Sequence, residues 1–397
     1  MTVRGSKRLA ALVAASVFVF GACSSTGATP SPSAASQPPA ASQPAESQAA
    51  PASGSAAASQ AAVTCPDPAT ATLTLQGAGA TFPAPLYQTW FETFNGVHSN
   101  IQIDYQANGS GAGIKAITEQ TVDFGASDAA MKDDEIAKLP SGSKMVHIPT
   151  ALGAVVVIYN LPGVTDLNLD ADNVAGIFLG DIKKWNDPKI AANNPGATLP
   201  EKDILVVHRS DGSGTTNAFT TYLDTVSTDW HSKVGAGKEV NWPTGTGAQG
   251  NDGVAGGVKQ TEGAVGYVEL NYASLAQLAS AKLKNADGQW VAGSTDGVTA
   301  AAEAAVADFP ADFRAKPIIN GKGATAYPIA AYTYLLAYLD QADADKGKTF
   351  VSFACWALTD GQATEPDLGY APLPAEVQQK AIDELHTFTT GGSPIWP

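Results

Sequence analysis

From Leu73 onward the chain alternates short apolar runs with stretches whose apolar residues recur at helical spacing. Residues 73–75, 101–105, 154–159, 204–208, 265–268 and 317–319 read as strands, and the unbroken apolar run 154–159 has the character of a strand covered on both faces. Between them, Leu86, Trp90 and Phe94 follow Pro83 and Pro85 at i, i+4 and i+8, which places all three on one helix face. Ile114 and Ile117 after Ser110 predict a second helix, and Phe219, Tyr222, Leu223 and Val226 after Ser213 predict a third. A last helix over 376–386 opens after Pro374. No internal repeat is evident. This α/β order predicts a mostly parallel sheet, and 397 residues suffice for two lobes. A ligand is then expected at the carboxyl ends of the strands, near helix N-termini.

The pattern before residue 73 is different. Arg4, Lys7 and Arg8 precede an apolar run over 9–20 that is too short for a comfortable membrane span. The run ends in Phe20-Gly-Ala-Cys23, which resembles the processing signal of a bacterial lipoprotein. Residues 1–22 are thus expected to be a signal peptide and Cys23 to carry lipid. Residues 24–62 contain only Ser, Ala, Pro, Gln, Gly, Thr and one Glu, a composition that cannot bury a core. Together 23–64 read as a disordered tether holding a folded domain at the extracytoplasmic face of a cell membrane. No later segment reads as a membrane span.

Charge narrows the partners. Without the three basic residues of the leader, 20 basic residues face 38 acids, a net charge of about −18. That argues against nucleic acid and against anionic membrane surfaces. An anion site in such a chain must rest on local dipoles rather than on the overall field. Arginine is scarce: after Arg8 only Arg209 and Arg314 remain. Beyond Cys23 the two remaining cysteines, Cys65 and Cys355, are expected to pair in an oxidising compartment.

Three helix starts share one design. Gly77-Ala-Gly-Ala-Thr81-Phe82-Pro83, Gly109-Ser-Gly-Ala-Gly113 and Arg209-Ser-Asp-Gly-Ser-Gly-Thr215 each offer free backbone N–H groups, a hydroxyl and glycines that allow close approach. A helix N-terminus of this kind suits an anion, although Ser, Thr and Gly there also serve as ordinary caps. Other chemistry finds no motif. Gly77–Phe82 lacks the third glycine of a dinucleotide fingerprint, Gly321-Lys-Gly323 lacks P-loop spacing, and the five histidines show no zinc pair. Gly212-Ser-Gly214 is not a nucleophile elbow. No catalytic residue, metal or cofactor is expected. Trp185, Trp230 and Trp242 are expected in the core or on a lobe surface, not as ligand platforms.

These loops, with Val122-Asp-Phe-Gly-Ala-Ser-Asp128, Trp242-Pro-Thr-Gly, Gly250-Asn-Asp-Gly253, Gly263-Ala-Val-Gly-Tyr267 and Gly369-Tyr-Ala-Pro-Leu-Pro374, closely resemble the phosphate-binding subunit of bacterial phosphate ABC transporters. The resemblance runs in order from about Leu73 to the end. It implies a two-lobe type II periplasmic binding protein (Venus flytrap) fold, with 65–150 and 325–397 in the first lobe and 151–324 in the second. The chain would cross near 149–153 and 320–327. It implies high-affinity capture of inorganic phosphate without catalysis, delivery to membrane permease subunits, and a monomer. Another tetrahedral oxyanion such as arsenate or sulfate is the alternative ligand, and a phosphoesterase the alternative class. Carried over residue by residue, Thr81 and Phe82 would offer backbone N–H groups, with the Thr81 hydroxyl, and Ser110 a hydroxyl and N–H. Asp128 would accept a hydrogen bond from a protonated phosphate oxygen. Arg209, held by Asp211, would supply charged donors, and Ser213, Gly214 and Thr215 would close the site from the other lobe. The second loop departs from the family in having Gly111 where a second serine is common. The stretch 276–313 matches loosely, and the Cys65–Cys355 pair is not a general family feature.

Overall fold

The structure is a computed structural model that describes residues 63–397. The expected signal peptide, the lipidation site Cys23 and the tether up to residue 62 lie outside the described residues.

Eight strands build the main sheet: β1 (Leu73–Gly79), β2 (Ile101–Ala107), β3 (Phe124–Ser127), β4 (Met145–Tyr159), β5 (Leu205–Arg209), β6 (Thr246–Ala248), β7 (Ala264–Glu269) and β8 (Ile329–Tyr338). They lie in the order β2-β1-β3-β8-β4-β7-β5-β6, with two-residue strands Ala279–Ser280 and Ile318–Ile319 attached. The helices that matter here are α1 (Ala84–Val97), α2 (Ser110–Thr118), α3 (Asp133–Ile136), α4 (Ala171–Leu179), α5 (Gly214–Val226), α6 (Gly250–Gln260), α7 (Ala344–Leu358) and α8 (Ala375–Leu385).

The sheet is mixed, not mostly parallel. β1 pairs in parallel with β2 and β3, and β5 with β6 and β7, but β8–β3, β8–β4 and β4–β7 are antiparallel. The cause lies in the two central strands: β4 and β8 lie side by side and run in opposite directions, so the parallel strands on either side of them are joined through antiparallel pairs. β4 is buried along its whole length and changes partner within itself: Met145 to Ala154 pair with β8, and Val155 to Tyr159 pair with β7. The change falls just beyond the 149–153 segment anticipated for the first crossing. The anticipated strand 317–319 is only the two-residue Ile318–Ile319.

Each half of the sheet has its own aromatic packing. α1 buries Leu86, Tyr87, Trp90, Phe91 and Phe94, each worth roughly 1.5–3 kcal/mol on full burial. Phe91 and Phe94 meet Phe353 of α7 with ring centroids 5.3 and 5.4 Å apart. The Cys65–Cys355 disulfide, Cα atoms 5.6 Å apart, pins the extended start of the domain to α7. In the second lobe Phe178 of α4 packs on Phe219 of α5 at 4.7 Å, and Phe219 stacks on Tyr267 of β7 at 4.2 Å. Trp185 and Trp230 are fully buried, while the half-buried Trp242 stacks on His208.

Candidate functional site

The N-termini of α2 and α5 face each other across the cleft, and local sequence explains why they come so close. Gly109 caps α2 at φ +104°, and a Cβ there would stand 2.3 Å from Asp211 Oδ2. Gly214 opens α5 where a Cβ would lie 2.5 Å from the Asp128 Cβ and 2.7 Å from Ser110 Oγ, so only glycine fits. Ser213 caps α5 by accepting from the Thr216 N–H at 3.0 Å. The lobes meet directly: the Gly111 N–H donates to the Gly212 carbonyl at 2.7 Å, and the Gly214 N–H to Ser110 Oγ at 3.0 Å.

The structure joins Ser110, Asp128 and Gly214 in one hydrogen-bonded set, and Thr81, Thr215, Arg209 and Asp211 in another through Asn251, the two meeting at the adjacent residues Gly214 and Thr215. Asp128, at the end of β3, accepts from the Thr333 hydroxyl at 2.9 Å and from the Ser110 hydroxyl at 3.2 Å. Burial pushes its carboxyl up to about 7, against the pull of the Thr333 hydroxyl, the Arg209 charge and the Ser110 hydroxyl. Arg209 is the last residue of β5, with its side chain 1% exposed. Its Nε donates to Asp211 Oδ1 at 2.7 Å, Nη2 donates to Asp211 Oδ2, and Nη1 reaches Thr215 Oγ1 at 3.4 Å. Burial pushes the Asp211 carboxyl up, but the Arg209 bonds and charge, with the Gly250 N–H at 3.1 Å, outweigh it and hold it below the usual range. This fork fixes the guanidinium and leaves the Nη1 side facing the cleft hydroxyls.

The free donors matter most. The backbone N–H groups of Thr81, Phe82, Ser110 and Thr215 have no acceptor among the described residues, although all four residues are buried. Buried N–H groups without partners are rare and need an explanation. Ser110 differs from its anticipated role. Its hydroxyl hydrogen goes to Asp128 while its oxygen accepts from the Asp128 and Gly214 N–H groups, leaving only the backbone N–H free. Arg314 lies apart on the surface, bound to Asp312 and Asp133. Among the described residues no cluster of three His, Cys, Asp or Glu side chains is placed to hold a metal.

Sequence reasoning missed two partners. Thr333 on β8 fixes the second oxygen of Asp128. Asn251, the second residue of α6, donates through Nδ2 to Thr81 Oγ1 at 2.9 Å and to Thr215 Oγ1 at 3.2 Å. Its signal was present as one more polar residue after a glycine at a helix start.

A family model described as a PBP superfamily domain matches residues 43–355. A protein of Pasteurella multocida named phosphate-binding protein PstS is 42% identical over 332 residues, covering 82% of this chain and 94% of the relative. A protein of the same name from Methanocaldococcus jannaschii is 38% identical over 336 residues, covering 80% and 86%. Among solved structures, a periplasmic phosphate-binding protein (PfluDING) with bound phosphate superposes with a TM-score of 0.62 at 22% identity, covering 77% of this chain and 92% of that one. A substrate-binding protein of a phosphate ABC transporter from Clostridium perfringens, described as putative and also with bound phosphate, gives 0.56 at 18%, covering 76% and 100%. At these identities the two structures speak for the fold alone.

Proposed function

This chain belongs to the phosphate-binding protein PstS family of the PBP superfamily, and we propose that its cleft captures inorganic phosphate with high affinity outside the cytoplasmic membrane. The observation that carries this reading is the set of four buried N–H groups without acceptors among the described residues, on Thr81, Phe82, Ser110 and Thr215 at the starts of three helices, beside the fixed Arg209 guanidinium that reaches Thr215. A small oxyanion satisfies all of them at once, and helix N-termini favour its charge. Asp128 is the one acceptor. It suits an anion that brings its own proton, as phosphate does. In this reading Phe82 contributes its N–H alone, its ring being buried, and Ser213 acts as the cap that shapes the α5 terminus.

The mechanism is capture. The lobes, 65–150 with 325–397 and 151–324, close around a dehydrated anion, and the closed form is what the permease subunits of an ABC transporter recognise. The reading is capture without a broken bond, as the names of the relatives suggest, and the Ser110 and Thr333 hydroxyls that donate to Asp128 serve to fix that carboxylate. The chain works as a monomer, tethered by lipid on Cys23 through residues 24–64. Cys23→Ser should release the protein from membranes or leave it unprocessed; membrane retention of the processed variant would refute the anchor. Calorimetric titration with phosphate, arsenate and sulfate, beside an aryl phosphate turnover assay, tests the function. Saturable phosphate binding without turnover supports capture, whereas turnover that Asp128→Ala or Arg209→Ala abolishes would make the chain a phosphoesterase.

A further inference from the structure

Asn251 touches both halves of the anion site with one side chain. It is fully buried. Its Oδ1 accepts from the Glu269 backbone N–H at 3.1 Å, which fixes which way the amide points, because a backbone N–H can only donate. Nδ2 must then face Thr81 of the first lobe and Thr215 of the second. Each threonine oxygen has two lone pairs and both are used. Thr81 Oγ1 accepts from Asn251 Nδ2 and from the Asn251 backbone N–H at 3.2 Å. Thr215 Oγ1 accepts from Asn251 Nδ2 and Arg209 Nη1. With both lone pairs engaged, each hydroxyl can only donate elsewhere, and among the described residues neither hydrogen has an acceptor.

We propose that Asn251 is the positioning residue that turns the Thr81 and Thr215 hydroxyls into obligatory donors to the bound anion, and that it does so when the lobes close. This deepens the phosphate reading and rests on it. Thr81 belongs to the other lobe, so its bond to Asn251 forms with closure and breaks with opening. Loss of the amide therefore weakens the closed complex and acts on the dissociation rate more than on association. The residue touches the ligand through its partners, not by itself.

Asn251→Asp is the informative change. It keeps the shape and the acceptor for the Glu269 N–H, but replaces the donor by a carboxylate that accepts both hydroxyl hydrogens and draws them off the anion. Two redirected donors, each worth about tenfold, give about 100-fold weaker phosphate binding near neutral pH. Protonation of the new carboxyl restores a donor, so the ratio of variant to wild-type affinity should recover as pH falls. The other charged groups around position 251 are Arg209, Asp211, Asp128 and the buried Glu269, with Asp252 on α6 itself. All are common to both proteins, so the ratio reports on position 251. Asn251→Ala provides a second arm: about tenfold loss alone, and almost none when Thr81 and Thr215 are already valine.

The experiment is stopped-flow and equilibrium binding of inorganic phosphate to the full chain and these variants from mildly acid to mildly alkaline pH. A pH-dependent loss concentrated in the dissociation rate, non-additive with the valine pair, is the expected result. Binding of Asn251→Asp within about threefold of wild type at every pH, a difference under 0.7 kcal/mol, would overturn the proposal. So would full additivity of Asn251→Ala with the valine pair, which remains measurable if the Asp variant does not fold. Failure of wild type to bind phosphate would instead remove the phosphate reading.

Discussion

The raised carboxyl of Asp128 makes anion selectivity depend on pH in a calculable way. Burial holds this group at about 7. Sulfate carries no proton near neutrality, so it can sit against Asp128 only when Asp128 supplies one. Phosphate retains an O–H in both its neutral-range forms and can donate to the ionised carboxylate. Above about pH 7, protonating Asp128 costs about 1.4 kcal/mol per unit, so sulfate affinity should fall about tenfold for each unit while phosphate affinity changes less. A bound anion pushes the carboxyl further up, which sets where the slope would end at high pH, while the break itself follows the free protein. Below about pH 6 Asp128 is largely protonated and the sulfate line should flatten. Asp128→Asn offers an N–H at every pH and should give sulfate binding with no break. Competitive calorimetry with phosphate and sulfate, on wild type and Asp128→Asn from about pH 5 to about pH 9, reads both lines directly. Wild-type sulfate affinity without slope above pH 7, or the same slope in Asp128→Asn, would refute the assignment of selectivity to this proton.

Three further outcomes follow from the geometry. Arg209→Ala removes the one buried guanidinium among the described residues and strands Asp211, and should weaken phosphate at least tenfold by the worth of a charge-assisted bond, about 1.5–3 kcal/mol; Arg314→Ala, whose partners are exposed, should change it by less than about fivefold, and equal effects would contradict the site. Reduction of Cys65–Cys355, which closes a separation of 290 residues, should lower stability by about 2–5 kcal/mol without changing phosphate affinity, measured by denaturation and titration with and without reductant; a large affinity loss would mean that the bond shapes the cleft. His147 accepts from the Met131 N–H, and burial, helped by the Arg314 and Lys238 charges and opposed by Asp312, lowers it from about 6.5 to about 4. The unfolded chain therefore takes up this proton first as pH falls. Stability from this group is complete above about 6.5 and declines by at most about 3 kcal/mol toward pH 4. Stability of His147→Gln across that window should fall less than wild type by this amount, and parallel curves would exclude the group.

Much of the fold was legible because its signals are local. Proline and serine starts with helical apolar spacing located α1, α2, α5 and α8, and the unbroken run at 154–159 marked the C-terminal part of β4. The central strand β8 was not anticipated. Ile329 to Tyr338 is mostly apolar without alternation, and nothing local announces its place between β3 and β4. For the same reason the sheet read as mostly parallel: strand direction at the crossing depends on which distant strand lies alongside. At the site, the glycine and hydroxyl residues of the three loops stand out in sequence. Thr333 does not, and Asn251 is marked only as part of Gly250-Asn-Asp-Gly253; each acquires its role from partners distant in sequence. The committed hydroxyl of Ser110 is likewise a property of the meeting of α2 and α5, not of either loop alone.

A crystal structure of the protein grown with phosphate tests the central claim most directly. The account predicts tetrahedral density between the N-termini of α2 and α5, within hydrogen-bond distance of the Thr81, Phe82, Ser110 and Thr215 N–H groups and Arg209 Nη1, with one oxygen on Asp128. Phosphate bound elsewhere, or no density there at saturating phosphate, would contradict it.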